Sequence, residues 1–205
     1  MQKYRIQAET LTDFMMGSGE SVPGIVDMDC RFDSCGLPYM NAKTLKGHIR
    51  EQMEMILSVT GDVFQGITAD SLLGAEDPSA KKAPGRIFFS DLCLPDGVQG
   101  AVKQAIAAGD VTADEIQDSL TIIQTSTRID PVTGTAQAHT LRKARLIRRG
   151  LIFVSDVYTS DLDLRELELF RKSVRAVQHI GTFKSKGKGA VRCRLLTADG
   201  EREAE

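Results

Sequence analysis

Two amphipathic stretches, residues 42–59 and 163–179, each lie between strand-like segments, and this arrangement limits the folds open to the chain. The first carries Leu45, Ile49, Met53, Ile56 and Leu57 at helical spacing; the second carries Leu164, Leu167, Phe170, Val174 and Val177. Ahead of the first, residues 3–11 alternate, with Tyr4, Ile6 and Ala8 on one face. Residues 86–94 read as a strand, as do 151–158 and 190–197. The order strand, helix, strand, insertions, strand, helix, strand is compatible with an α+β, modified ferredoxin-like sheet, the scaffold that RRM domains also use. One domain is expected over 1–198, with an insertion at about 61–85, a hairpin at about 121–147 and an acidic tail at 199–205.

Local signals fill in the connections. Asn41 is a plausible N-cap for the first helix, and Thr112 with Glu115 forms a capping-box pattern opening a short helix. Residues 98–108 also read as a short helix. The hairpin is expected to turn near 131–134. Residues 61–85 are polar and glycine-rich and read as a flexible insertion.

The segment from His179 to Arg194 carries three lysines spaced by two, Lys184, Lys186 and Lys188, with Gly181, Gly187 and Gly189 and no acid among them. Glycine lets a backbone approach a ligand closely, and the cations suit phosphates. The segment fits either a phosphate cradle, with the Gly187 and Gly189 amides as an anion nest, or a solvated hairpin turn. Arg142, Lys143, Arg145, Arg148 and Arg149 form a second basic cluster. The formal net charge of −2 announces no global attraction to nucleic acid, so any such binding rests on local patches.

Asp27, Asp29 and Asp33 alternate in a segment expected to be an extended loop, which would place Asp27 and Asp29 on one side. Solvated surface acids are the alternative. Asp33 is expected to cap the turn at Ser34-Cys35-Gly36. The spacing of Cys30, Cys35, Cys93 and Cys193 matches no zinc pattern, and His48, His139 and His179 complete none, so buried thiols are expected. The N-terminus has no apolar leader-like run and no segment approaches a membrane span, which makes a cytoplasmic, reducing location the expectation.

Four segments together resemble the RAMP superfamily of CRISPR effector proteins, most of all the backbone subunit of the RNA-targeting type III (Csm/Cmr) complexes. They are Gly36-Leu-Pro-Tyr-Met-Asn-Ala-Lys-Thr-Leu-Lys-Gly47, Arg86-Ile-Phe-Phe-Ser-Asp91, Thr127-Arg-Ile-Asp-Pro-Val-Thr-Gly-Thr-Ala136 and the C-terminal glycine-lysine segment. They run in family order over nearly the whole chain. Asn41-Ala42-Lys43 replaces the family's Pro-Gly-Ser, Pro131 stands where an arginine is usual, and Lys188 where an aromatic or arginine is frequent.

The resemblance implies a ferredoxin-like domain with a thumb hairpin and lid insertions. It implies partners: guide crRNA, single-stranded target RNA, further copies of the chain and other effector subunits, and no membrane. Lys46 and Arg50, which share a helix face, would meet guide phosphates together with Gly181, Lys184, Lys186, Gly187, Lys188 and Gly189; a solvated basic face is the alternative. Ile129, Pro131 and Val132 would form the thumb's apolar wedge between bases. Asp27 falls at the family's catalytic aspartate, with Asp29 in reserve. A carboxylate there would hold a divalent metal, Mg2+ or Mn2+, or orient an RNA 2′-hydroxyl. A purely structural crRNA-binding subunit fits the same motifs. A guide-processing nuclease using histidine is disfavoured, because none of the three histidines falls in the matching place.

Overall fold

The computed structural model describes residues 1–75, 84–127, 129–130, 133–137, 140–198 and 202–204. Along the chain run β1 (Gln2–Thr10), α1 (Ala42–Thr60), α2 (Ala69–Leu73), β2 (Ile87–Phe89), α3 (Asp96–Ala108), α4 (Ala113–Leu120), β3 (Thr121–Ser126), β4 (Arg142–Ile147), β5 (Ile152–Thr159), α5 (Leu164–Ala176) and β6 (Val191–Thr197).

Four strands form one sheet in the order β2-β5-β1-β6, every neighbouring pair antiparallel. That is the strand order of a split βαβ, ferredoxin-like sheet, with α1 and α5 as its two crossovers. Alternation decides which face is covered. Ile6 and Ala8 of β1, Phe153 and Val157 of β5, and Cys193 and Leu195 of β6 are buried with Leu45, Ile49 and Met53 of α1 and Phe170 and Val174 of α5 in one core. The other face is charged: Lys3 and Arg5 both pair with Asp156, and Arg192 pairs with Glu9.

β3 and β4 form a separate antiparallel hairpin. Its far end is drawn together by the Ile129–Ala136 bridge and by the Asp130 amide donating to the Thr135 carbonyl at 2.8 Å. The turn therefore falls where the sequence places it. Pro131 and Val132, expected at its tip, lie outside the described residues.

Two connections depart from expectation. Within 61–85, residues 61–64 form a 3-10 turn, and α2 follows, opened by Thr68, which accepts from the Ser71 amide. Phe64, Leu72 and Leu73 are buried, so this part is a packed lid rather than a loose insertion; residues 76–83 lie outside the described residues. In the acidic tail, residues 202–204 also fold back. They lie along the end of β6, with the Ala204 amide donating to the Leu195 carbonyl and Glu203 beside Arg194. Asn41 makes no side-chain cap. Asp91, at the end of the Arg86-Ile-Phe-Phe-Ser-Asp91 motif, accepts from the Ala42 amide at 2.7 Å and supplies the cap from across the fold.

Candidate functional site

The acidic loop and the hairpin meet at β4. The Lys143 amide donates to Asp27 Oδ2 at 2.7 Å, and the Asp27 amide donates to the Lys143 carbonyl at 2.8 Å. This reciprocal pair fixes the Asp27 backbone to the root of the hairpin and leaves its carboxylate exposed. The tight turn Val22-Pro23-Gly24-Ile25 precedes it, closed by the Ile25 amide donating to the Val22 carbonyl. Pro23 and Gly24 suit its second and third positions, with Gly24 at φ 79°. Arg142 and Lys143 extend exposed side chains that have no hydrogen-bond or ion-pair partner among the described residues.

Asp29 is placed differently, so the two aspartates do not share a side. It is 7% exposed, and its Oδ1 accepts from Arg145 Nε at 3.0 Å and from the Cys30 amide at 2.8 Å. Arg145, itself 6% exposed, also reaches Asp118 Oδ1 at 3.1 Å and Thr121 Oγ1 at 3.3 Å. The expected basic cluster is thus divided: Arg145 is an internal tie joining loop, hairpin and α4. Asp33 caps its turn as expected, accepting from the Cys35 and Leu37 amides.

The residues of the basic face also have inward tasks. Lys46 and Arg50 share one face of α1, and that face meets α2. Lys46 Nζ donates to the Leu73 carbonyl at 3.1 Å. Arg50 is 4% exposed and bonds Asp70 and the Gly74 carbonyl. Both therefore hold the end of α2, and Arg50 turns no open face outward.

In the glycine-lysine loop, Gly181 (φ 73°) and Gly189 (φ 78°) are needed for approach to the protein's own backbone. A Cβ at Gly181 would stand 2.1 Å from the Met15 carbonyl oxygen, and one at Gly189 2.1 Å from that of Ile180. The Gly187 amide donates to the Lys184 carbonyl and the Gly189 amide to that of Asp13. The nest expected from these two amides is therefore committed internally. The loop instead presents side chains. Lys184 lies a loose 3.9 Å from Glu51, Lys186 stacks 5.0 Å over the Phe183 ring, and Lys188 approaches Asp13 at 3.5 Å. Lys186 and Lys188 line a small hollow with Gln124, Ser126 and Ala144 of the hairpin, so the loop and the hairpin border one surface. Ile129, near the hairpin tip, is 55% exposed.

Two of the thiols, the buried Cys30 and Cys193, are unsuited to chemistry, while Cys35 and Cys93 are only half-buried. Burial pushes Cys30 and Cys193 up to about 12. Among the described residues no three His, Cys, Asp or Glu side chains are grouped to hold a metal. Asp27 offers one carboxylate, which suits the Mg2+ habit of taking one or two protein oxygens and completing its shell with water and phosphate. No helix among the described residues is long and apolar enough to cross a membrane.

Sequence reasoning missed Arg145 as a tie, although a signal was present. An arginine inside the apolar run Ala144-Arg145-Leu146-Ile147 must find a buried acid. The Asp91 cap and the Lys143 clamp involve partners distant in sequence and had no local signature.

The fold is similar to that of a chain in the cryo-EM structure of the Type III-B Cmr-beta bound to cognate target RNA. The TM-score is 0.69 at 14% identity, covering 95% of this chain and 97% of that one. A chain of the Type III-B Cmr-beta apo state matches with a TM-score of 0.68 at 16% identity, over the same shares of both chains. At such identities the likeness concerns the fold. No curated protein matches the chain by sequence. A family model for the RAMP superfamily matches residues 7–192, which takes in the acidic loop, α1, the hairpin and the glycine-lysine loop. The chain belongs to the RAMP superfamily.

Proposed function

We propose that the chain is a backbone subunit of a type III CRISPR ribonucleoprotein, binding guide crRNA alongside further copies of itself and other effector subunits, and cleaving complementary target RNA. The observation that carries this reading is the Asp27–Lys143 clamp. It holds an exposed carboxylate at the root of the hairpin, beside Arg142 and Lys143, cations with no partner among the described residues. The relatives of similar fold come from a complex that binds cognate target RNA.

In the reaction proposed, the RNA 2′-oxygen attacks the adjacent phosphorus in line. Asp27 accepts the hydroxyl proton through the oxygen that Lys143 leaves free. The bond to the 5′-oxygen breaks, that oxygen takes a proton from water, and the products are a 2′,3′-cyclic phosphate and a 5′-hydroxyl. Lys143 and Arg142 would hold the phosphate for this attack. In the alternative use of this carboxylate, Asp27 would hold Mg2+ or Mn2+, which would neutralise charge on the phosphate. Lys184, Lys186 and Lys188 form the guide-phosphate rail; Lys46 and Arg50 support it by fixing α2.

Substituting Asp27→Ala in the assembled complex tests the reading. Target cleavage should fall by about 10²–10⁴-fold while crRNA and subunits are retained. Unchanged cleavage would leave the chain as a structural crRNA-binding subunit. Failure to recover any crRNA with the wild-type complex would remove the reading altogether.

A further inference from the structure

On the far side of the Val22–Ile25 turn lies a second cavity, unused by the chemistry above. It is a cleft of about 610 Å3 bounded by the acidic loop, the Gly36 motif and α4. Val22 and Ile25 line both this cleft and the shallow hollow that holds Asp27, so one turn separates them.

The lining is mixed in a particular way. Phe32 and Tyr39 supply aromatic rings. Arg31 supplies a guanidinium, tethered at one nitrogen to the Ser18 carbonyl at 3.4 Å. Arg145 pairs with the buried Asp29 and with the exposed Asp118, which leaves this part of the lining with one negative charge in excess. The carboxylates of Glu20 and Asp114, the side-chain amide of Gln117 and the hydroxyl of Tyr39 have no hydrogen-bond partner among the described residues. Two aromatic rings beside polar groups left to water make a cleft able to bond a polar ligand.

The chemistry of the lining selects among ligands. A phosphate would meet Glu20 and Asp114 at close range. An aliphatic ligand would leave the amide and carboxylates unpaired. A planar heterocycle carrying a donor beside an acceptor suits all of them. Its face stacks on an aromatic ring, its amino group donates to a carboxylate, and its carbonyl or ring nitrogen accepts from Arg31 or Gln117. We propose that this cleft takes a nucleobase of single-stranded RNA, stacked on Tyr39 and selected for an exocyclic amino group by Glu20, Asp114 and Gln117.

This inference rests on the RNA-binding reading above and deepens it. The phosphate of the bound nucleotide stays outside, toward Lys143, and the base enters across the turn. Cytosine, adenine and guanine have the amino group; uracil does not. The cleft therefore makes the subunit base-selective next to the reactive carboxylate, whereas phosphate contacts alone are indifferent to sequence.

The test uses the full chain and fluorescein-labelled single-stranded 15-mers of cytidine, adenosine or uridine, with affinity read by anisotropy at fixed salt. The wild type should bind the first two about tenfold more tightly than the third. Glu20→Gln with Asp114→Asn should bring all three to parity; both residues are exposed, and an unchanged melting temperature verifies the fold. Tyr39→Ala should weaken all three about tenfold, and Tyr39→Phe should restore them. Lys184→Ala with Lys186→Ala should weaken all three and leave the base preference intact. If the wild type binds RNA but the cleft variants change neither affinity nor preference, the inference is overturned and the RNA reading stands. Cleft variants that bind RNA like the wild type but no longer co-purify with the other subunits of the complex would assign the cleft to a protein and overturn it equally. A wild type that binds no RNA overturns both.

Discussion

Arg145 and Asp29 form a buried ion pair, Nε to Oδ1 at 3.0 Å, between the acidic loop and the strand that leaves the hairpin. Two residues away on each segment, Lys143 and Asp27 exchange backbone and carboxylate hydrogen bonds in the open. The same two segments thus present one inward aspartate and one outward aspartate. The inward pair sets the register in which the outward carboxylate is displayed.

The first prediction separates the two acids. Asp29→Ala leaves the Arg145 guanidinium with its inner partner gone and should cost about 3–5 kcal/mol, because breaking a buried pair strands a charge. A chain of this size then melts lower by roughly 2–4 °C per kcal/mol. Asp27→Ala removes one bond at an exposed site and should cost about 1 kcal/mol or less. Differential scanning calorimetry reads both. Equal melting temperatures for the two variants would return Asp29 to the role of a working carboxylate.

The second prediction concerns the glycine-lysine loop. Gly181→Ala and Gly189→Ala each drive a methyl group against a carbonyl oxygen and should destabilise by about 3 kcal/mol or more. Gly187 has the same left-handed backbone but open space around the added carbon. Gly187→Ala should cost only about 1–2 kcal/mol of backbone strain. Similar losses at all three positions would show that space at Gly181 and Gly189 does not decide the outcome.

These glycines also show what a sequence can and cannot announce. The alternation in β1 and β6 and the stripes on α1 and α5 are local patterns, and they placed the sheet and its two crossovers. The hairpin and its turn were legible for the same reason. Gly181, Gly187 and Gly189 advertise unusual backbone, but not whether that backbone approaches a ligand or another part of the chain. Arg50 and Lys46 show the same limit. Their spacing puts them on one helix face, yet what that face meets depends on α2, whose bonded residues lie 20 and 27 positions onward. The exposed display of Asp27 depends on the Lys143 amide, whose backbone carries no residue-specific signal.

The third prediction addresses the lysine rail. Lys184→Ala with Lys186→Ala should lower the dependence of log affinity on log salt by about 1.4 for single-stranded RNA, since each phosphate contact contributes about 0.7. Arg50→Ala should instead lower the melting temperature, because Asp70 and the Gly74 carbonyl lose a donor. Its salt slope should match the wild type. A reduced slope for Arg50→Ala, measured by fluorescence titration between 50 and 200 mM salt (roughly the range over which such slopes are resolved), would bring Arg50 back to the RNA surface.

The fourth prediction turns on His48, which lies on α1 next to the rail. Its Nε2 is buried without a partner among the described residues. Burial lowers the imidazole below its ordinary 6.5, and the Lys184 charge adds to this, against an opposing pull from Glu51. A histidine held neutral in the folded chain and free to protonate in the unfolded one makes folding weaker in acid. The loss begins as pH falls through the unfolded value and levels off below the folded value. The wild type should therefore lose stability from about pH 6.5 downward, and His48→Gln should flatten that part of the curve. Lys184→Ala, which removes the neighbouring cation, should raise the imidazole pKa seen by NMR and make the total loss smaller, with its onset unchanged. Chemical denaturation at steps of pH gives the curve directly, and parallel curves for the wild type and His48→Gln would show that His48 does not couple folding to protons.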